Sequence, residues 1–138
     1  MIAIGCDHGG FELKKKIMAH LDARGLEYKD FGTYSDASCD YPIYGKAVAS
    51  GECERGIVIC GTGIGISITA NKVPGIRAAL CTDCFMAEAT RQHNDANILA
   101  LGGRVVGDGL ALKIVDTFLD TPFSEGERHI RRIAQIEG

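Results

Sequence analysis

The 138-residue sequence lacks tryptophan, has only three prolines, and contains no long hydrophobic run or strong excess of one charge. No apolar stretch approaches the roughly 20 residues that span a bilayer. The net charge of −3 gives no attraction for nucleic acid or an anionic membrane. We therefore expect neither a nucleic-acid partner nor a membrane partner. Residues 1–5 also lack the basic region and cleavage site of a secretory signal peptide, which predicts a cytoplasmic protein.

Low-complexity segments, linkers and internal repeats are missing as well. With 46 % apolar residues, a chain of this length suffices for one domain with a real core, and disorder is not expected. Several cysteines lie in or beside apolar runs, and no export signal precedes them, so reduced thiols are the better interpretation. The six cysteines are Cys6, Cys39, Cys53, Cys60, Cys81 and Cys84.

Strand-like and helix-like patterns alternate five times along the chain. In the first predicted helix, Leu13, Ile17 and Leu21 form one apolar stripe, and the lysines at residues 14–16 are expected on the solvent side. The alternation predicts an α/β fold, a three-layer α/β/α sandwich around a five-stranded parallel sheet of Rossmann-like type. Predicted strands cover residues 2–6, 27–31, 55–60, 77–81 and 98–101, and predicted helices cover residues 11–24, 41–50, 64–72, 83–93, 107–120 and 125–136.

A glycine-rich stretch with the sequence CGTGIGISITAN occupies residues 60–71, directly after the third predicted strand. Gly61, Gly63 and Gly65 leave backbone N–H groups uncovered where a helix begins, which is typical of an anion-binding loop. A thiol beside helix N–H groups is more reactive than a free thiol, so Cys60 is a candidate nucleophile or base. The alternatives are a tight turn without a ligand and a cysteine that only packs.

Other reactive side chains follow the neighbouring predicted strands. Asp7 and His8 follow the first strand, residues 81–84 follow the fourth, and Arg104 follows the fifth. Since parallel strands end at one edge, these groups and Cys60 should converge there. A carboxylate beside an imidazole suits proton transfer, although the same residues suit a loop that caps the next helix.

Three further interpretations stay open on the residues alone. The glycine loop lacks the Gly-Lys-Ser/Thr ending of a phosphate-binding Walker loop, but Asp83 is suitably spaced for a ribose, so a nucleotide- or flavin-binding module remains an alternative. Cys81 and Cys84 form a CxxC pair, which is consistent with a redox centre, half a zinc site or ordinary packing. Arg128, His129 and Arg132 share one face of the last predicted helix and suit either a phosphate or solvent.

Seven segments together resemble a known family. They are GCDHGGFELK from residue 5, DYP from residue 40, CGTGIGISITANK from residue 60, GIRAAL from residue 75, RQHNDAN from residue 91, LGGRVVG from residue 101, and the basic cluster at residues 128–132. In this order they are similar to the type B ribose-5-phosphate isomerases and the related galactose-6-phosphate and allose-6-phosphate isomerases. The resemblance covers nearly the whole chain, residues 1–138, as a single domain.

The resemblance implies an aldose–ketose isomerase that works through an enediolate without a metal or other cofactor. It implies that Cys60 removes the C2 proton, that Thr62 helps to move protons between the oxygens O1 and O2, and that His93, with Asp7 or Tyr41 nearby, opens the sugar ring. The implied binding groups are the N–H groups of Gly61, Gly63, Ile64 and Gly65 with Ser67 for the enediolate, Asn94 for the sugar, and His8, Arg104, Arg128, His129 and Arg132 for the phosphate.

The resemblance also implies a homodimer, possibly a dimer of dimers, with active sites shared between subunits. His93 and Asn94 would face the partner's Cys60, and the C-terminal helix, at about residues 125–136, would pack on the dimer or the active site. The implied phosphorylated sugars are ribose 5-phosphate and ribulose 5-phosphate. A six-carbon substrate, allose 6-phosphate or galactose 6-phosphate, stays open because the sequence does not measure the pocket.

Overall fold

Five parallel strands form the centre of the structure, a computed structural model that describes residues 1–138. The strands are β1 (Ile2–Cys6), β2 (Tyr28–Asp30), β3 (Arg55–Cys60), β4 (Ala78–Leu80) and β5 (Ile98–Gly102). Their order across the sheet is β2-β1-β3-β5-β4, and every neighbouring pair is parallel. The predicted α/β fold with a Rossmann-like five-stranded parallel sheet is confirmed.

Five of the six helices cover the two faces of this sheet. Side chains of β3 alternate between the faces, because Ile57 and Ile59 enter one apolar cluster while Val58 and Cys60 enter the other. The first cluster is closed by α1, α4 and α5, and the second by α2 and α3. None of the helices is both long and apolar enough to cross a membrane. The helices are α1 (Phe11–Ala23), α2 (Tyr41–Val48), α3 (Ile64–Asn71), α4 (Cys84–Ala89), α5 (Asp108–Asp120) and α6 (Glu127–Glu137).

One continuous helix over residues 83–93 was the wrong prediction. The α-helix α4 ends at Ala89, and a π-helical turn, Thr90–Asn94, follows it. The wide turn is held by the buried guanidinium of Arg91, which donates to the carbonyl oxygens of Thr121 (3.1 Å) and Ala96 (2.7 Å) and to the Asp95 carboxylate (2.8 Å). These partners are distant in sequence or follow the helix, so periodicity alone does not reveal them.

The position of Lys14 also differs from the prediction. Its side chain is fully buried, and its Nζ donates to Asp30 Oδ1 at 2.7 Å and to the Thr33 carbonyl oxygen at 2.5 Å. Lys14 and Leu21 are seven residues apart and therefore share a helix face, which indicates inward placement. The buried ammonium is tolerated because a carboxylate and a carbonyl oxygen replace its water.

Candidate active site

The loops after β1, β3 and β5 meet at the carboxyl edge of the sheet, because these three strands are neighbours. The Asp7 N–H donates to the Ile59 carbonyl oxygen at 3.1 Å, and the Gly103 N–H donates to the Cys60 carbonyl oxygen at 2.8 Å. The Arg104 N–H donates to the Gly61 carbonyl oxygen at 3.0 Å. The structure thus brings the aspartate, the thiol, the glycine loop and the arginine of the prediction to one edge.

Glycines allow these loops to touch backbone to backbone. A methyl group on Gly9 would lie 2.9 Å from the Gly61 nitrogen, and one on Gly103 would lie 2.5 Å from the Gly9 carbonyl oxygen. A methyl group on Gly102 would lie 2.6 Å from the Thr62 carbonyl oxygen. No side chain fits between these surfaces, so the relative position of the three loops is fixed by close backbone contact.

Cys60 is the last residue of β3, and its sulfur lies against the glycine loop. The Gly63 N–H donates to Cys60 Sγ at 3.1 Å, and Gly63 has the left-handed φ of 78° that turns the chain into α3. Only 5 % of Cys60 is exposed. The sulfur therefore lies at the N-terminus of α3, within hydrogen-bond distance of a backbone N–H.

The structure divides the N–H groups of the glycine loop into two kinds. Those of Gly63 and Ile64, both predicted to hold the substrate, have partners within the loop: Cys60 Sγ and, at 3.2 Å, Thr62 Oγ1. The N–H groups of Gly61, Thr62 and Gly65 make no hydrogen bond within the chain. These three donors are thus open to an anionic ligand.

The first turn of α3 is covered by α2. A methyl group on Gly65 would lie 2.6 Å from Tyr41 Cζ and 2.8 Å from its hydroxyl oxygen, so the tyrosine ring lies directly over this glycine. The nearby Ser67 is buried and donates its hydroxyl to the Ile64 carbonyl oxygen at 2.8 Å. Tyr41 therefore borders the open face of the loop, whereas the Ser67 hydroxyl is directed into the helix.

Asp7, His8 and Arg104 border the glycine loop on its other side. The buried Asp7 carboxylate accepts the Gly9 N–H at 2.8 Å and caps a 3-10 turn, His8–Gly10, so the capping alternative holds for this residue. The half-buried His8 ring accepts the Cys39 N–H at Nδ1, 3.2 Å away. The Arg104 side chain is exposed and lies beside Gly61. The Arg104 guanidinium thus lies beside Gly61, and the His8 imidazole lies against the loop before α2.

The remaining predicted site residues lie at the opposite edge of the sheet. His93 and Asn94 belong to the π-helical turn, and the Asn94 carbonyl oxygen accepts from Arg77 Nε at 2.8 Å, just before β4 begins. The length of a five-residue strand, roughly 15 Å, separates this edge from Cys60. Within one chain, this second group therefore does not reach the sulfur.

Helix α6 packs on the π-helical turn. The rings of His93 and His129 are stacked, with centroids 4.4 Å apart and an angle of 15° between their planes. Burial first, and then the charges of Arg128, His93 and Arg132, lowers the pKa of His129 below its usual value. The predicted phosphate ligands of α6 thus form one basic group with His93.

His129 should titrate below about 6.5, the ordinary histidine value, in an NMR titration of its ring signals. Because folding disfavours the protonated ring, the contribution of His129 to stability is lost as the pH falls from the ordinary value through the lowered one. Arg128→Gln should raise the midpoint, whereas Arg131→Gln, on the same helix, should not. An unshifted midpoint in the wild type contradicts this prediction.

Residues 2–136 match a family model described as Ribose/Galactose Isomerase. The chain belongs to this family. It is 54 % identical to ribose-5-phosphate isomerase B of Escherichia coli, over 98 % of this chain and 93 % of that protein. It is 44 % identical to galactose-6-phosphate isomerase subunit LacB of Clostridium acetobutylicum, over 99 % of this chain and 83 % of that protein.

Solved structures of the ribose/galactose isomerase family have the same fold. The ribose-5-phosphate isomerase B of Clostridium thermocellum aligns with a TM-score of 0.96 and 61 % identity, covering 99 % of this chain and 94 % of that one. A ribose 5-phosphate isomerase of Thermotoga maritima aligns with a TM-score of 0.95 and 54 % identity, covering 99 % and 96 %. The suspected resemblance is thereby confirmed.

The competing interpretations gain little support beside this family membership. Burial raises the pKa of Cys81 to about 12, with Asp83 adding to the effect, so this thiol is protonated at neutral pH and a poor redox nucleophile. Asp83 caps α4, because its carboxylate accepts the Met86 N–H at 2.8 Å. This is the carboxylate that the nucleotide-binding alternative assigns to a ribose. Clusters of three or more His, Cys, Asp or Glu side chains suited to a metal are absent.

The sequence analysis missed two contributors to the site of this family member. The backbone of Cys39, in the loop before α2, contacts His8, and the buried Lys14 lies beneath the start of that loop. A backbone donor carries no signal in residue type. The burial of Lys14 does have a signal in the sequence, since its spacing places it on the same helix face as Leu21.

Proposed function

We propose that this chain interconverts ribose 5-phosphate and ribulose 5-phosphate by moving a proton between C1 and C2. The observation that carries the proposal is the Cys60 sulfur, held at 3.1 Å by the Gly63 N–H beside three open N–H groups. Such an arrangement places a base next to donors for a developing oxyanion, which is what enolisation of a sugar requires. The relatives named for ribose 5-phosphate, at 54 % and 61 % identity, support the choice of a pentose phosphate.

The proposed reaction begins with Cys60 as a thiolate. The sulfur takes the proton from C2, the electrons of that C–H bond form the C1=C2 double bond, and the carbonyl oxygen O1 becomes an oxyanion. The N–H groups of Gly61, Thr62 and Gly65 stabilise the enediolate. The Thr62 hydroxyl moves a proton from O2 to O1, and the Cys60 thiol returns its proton to C1. The thiolate is regenerated and the ketose is formed, without a metal or redox cofactor.

A second copy of the chain is proposed to complete each site. His93 opens the sugar ring and Asn94 binds the sugar from the partner subunit, because within one chain both lie at the edge opposite Cys60. Helix α6 would bring basic side chains across with them. The phosphate would then be held by His8 and Arg104 of one subunit and by Arg128, His129 and Arg132 of the other.

Exposed apolar side chains support a homodimer of this kind. Ile43 on α2 and Ile64 and Ile68 on α3 are each more than half exposed, and they lie on the helices that border the glycine loop. Such a patch is typical of an interface. Two such dimers related by a further two-fold axis would form a dimer of dimers. All six cysteines are free, which supports a cytoplasmic location.

A panel of sugar phosphates, assayed with a metal chelator present, tests the proposed reaction and its independence from metal together. Turnover should be fastest on ribose 5-phosphate and unchanged by the chelator. Allose 6-phosphate and galactose 6-phosphate are the competing substrates, since the chain is 44 % identical to a galactose-6-phosphate isomerase subunit. A preference for either hexose phosphate, or loss of activity with chelator, would overturn the proposal.

A further inference from the structure

The loop between β2 and α2, residues 31–40, makes a specific contact with His8. The backbone N–H of Cys39 donates to Nδ1 of the His8 ring at 3.2 Å. The ring is half-buried and belongs to the first residue of the 3-10 turn. Other ionisable groups near it are the adjacent Asp7 carboxylate, which is directed to the Gly9 N–H, and the Cys39 sulfur, 4.0 Å from Nδ1.

This contact determines where the proton of the ring resides. A backbone N–H is always a donor, so Nδ1 must be unprotonated while the hydrogen bond exists. A neutral imidazole then has its proton on Nε2, and a doubly protonated ring would have to break the bond with Cys39. We infer that the loop 31–40 holds His8 as a neutral imidazole with its proton on Nε2, so that His8 meets the substrate phosphate as a hydrogen-bond donor rather than as a cation.

The assignment of a phosphate to His8 rests on the proposed function. The tautomer itself does not, because it follows from a contact within the unliganded chain. A neutral His8 donates a directional hydrogen bond but carries no positive charge. The positive charge in this half of the site then comes from Arg104. A directional hydrogen bond binds best to a phosphate oxygen that stays in one position. It therefore favours a phosphate fixed by the bound sugar over a phosphate that can move.

Lys14 acts on His8 through the same loop and is therefore a positioning residue. The start of the loop is fixed to β1 by two short bonds, from the Cys6 N–H to the Gly32 carbonyl oxygen (2.6 Å) and from the Thr33 N–H to the Cys6 carbonyl oxygen (2.7 Å). Lys14 Nζ binds the Thr33 carbonyl oxygen from below, at 2.5 Å, and its partner Asp30 also accepts the Gly32 N–H at 2.9 Å. The buried ammonium thus holds the segment that carries Cys39.

The test is a nitrogen-15 NMR spectrum of the histidine rings in the full-length protein without substrate, at neutral pH. His8→Gln identifies the His8 signals by their loss. We expect Nδ1 to resonate as an unprotonated nitrogen and Nε2 as a protonated one. Cys39→Pro removes the donor and should produce a mixture of tautomers, whereas Ser38→Pro, whose wild-type N–H makes no bond within the chain, should not. Protonated Nδ1 in the wild type, or an unchanged tautomer in Cys39→Pro, would overturn the inference.

Kinetics with ribose 5-phosphate separate a donor from a cation. His8→Gln keeps an N–H donor near the position of Nε2, and His8→Lys supplies charge instead. His8→Ala should raise KM roughly tenfold with a smaller change in kcat, as expected for one lost hydrogen bond to a charged group. His8→Gln should recover more of the affinity than His8→Lys. Greater recovery by lysine would show that charge is what matters and would overturn the donor role.

Lys14→Met tests the positioning role, with the tautomer as readout. The expected result is the same mixture of His8 tautomers as in Cys39→Pro, since the loop loses its anchor. If this variant does not fold, Asp30→Asn, which weakens the same ion pair, replaces it and should shift the tautomer in the same direction. A folded variant with the wild-type tautomer would overturn the role of Lys14. An inactive wild type that has the expected tautomer would refute the proposed function and leave this inference standing.

Discussion

Replacing Cys60 with serine is expected to lower isomerase turnover by on the order of a hundredfold to ten-thousandfold, the usual contribution of a general base. The hydroxyl group fills nearly the same space and still accepts the Gly63 N–H, but it is far too weak an acid to exist as an alkoxide. Binding of inorganic phosphate should stay near the wild-type value, because the phosphate-binding groups are other residues. Steady-state kinetics and phosphate titration measure the two effects.

Cys84→Ser is the matched control for this change. Cys84 is the first residue of α4, after the edge strand β4, and it is half-buried against the first apolar cluster. Its replacement should leave turnover within a factor of about two, as for most substitutions away from a site. Wild-type turnover in Cys60→Ser would show that the proposed base is wrong.

Two inactive variants should restore activity when their subunits are mixed. Cys60→Ser and His93→Asn each damage a different half of the shared site. After random exchange, half of the dimers are mixed, and each mixed dimer has one intact site and one doubly damaged site. The mixture should therefore recover about one quarter of wild-type turnover, from a starting level near zero.

The control for subunit mixing uses two changes in the same half of the site. Cys60→Ser mixed with Thr62→Val should recover nothing, because every site in a mixed dimer then lacks one of the two groups. Exchange is verified by mass measurement of mixed dimers under native conditions. Mixed dimers of Cys60→Ser and His93→Asn that remain inactive would contradict a site built from two subunits.

The fold was predictable because the elements with the clearest patterns are also the ones that set its topology. The apolar run before Cys60 predicts a buried strand, and strict alternation with helices predicts parallel pairing. Once the sheet is parallel, the loops after its strands must share an edge, so the grouping of Asp7, His8, Cys60 and Arg104 followed.

Features that depend on contacts between distant residues were not predictable in this way. The π-helical turn depends on a guanidinium that binds carbonyl oxygens beyond the helix, and its residues have ordinary helical preferences. Which N–H groups of the glycine loop stay open depends on where Cys60 Sγ and Thr62 Oγ1 lie. Periodicity records which face of an element is buried, but it does not record such partners.

The backbone-to-backbone contacts among Gly9, Gly61 and Gly103 have a consequence for the evolution of substrate range. A larger residue at Gly9 or Gly103 would displace the neighbouring backbone, so we expect this part of the site to tolerate little change. We therefore expect changes in substrate range to come from the edge of the site, namely residues 31–40 before α2 and helix α6. Insertions and new side chains there do not displace the glycine loops. Sequence differences between isomerases of five-carbon and six-carbon sugar phosphates should accordingly lie at that edge, while the residues that carry out the reaction stay the same.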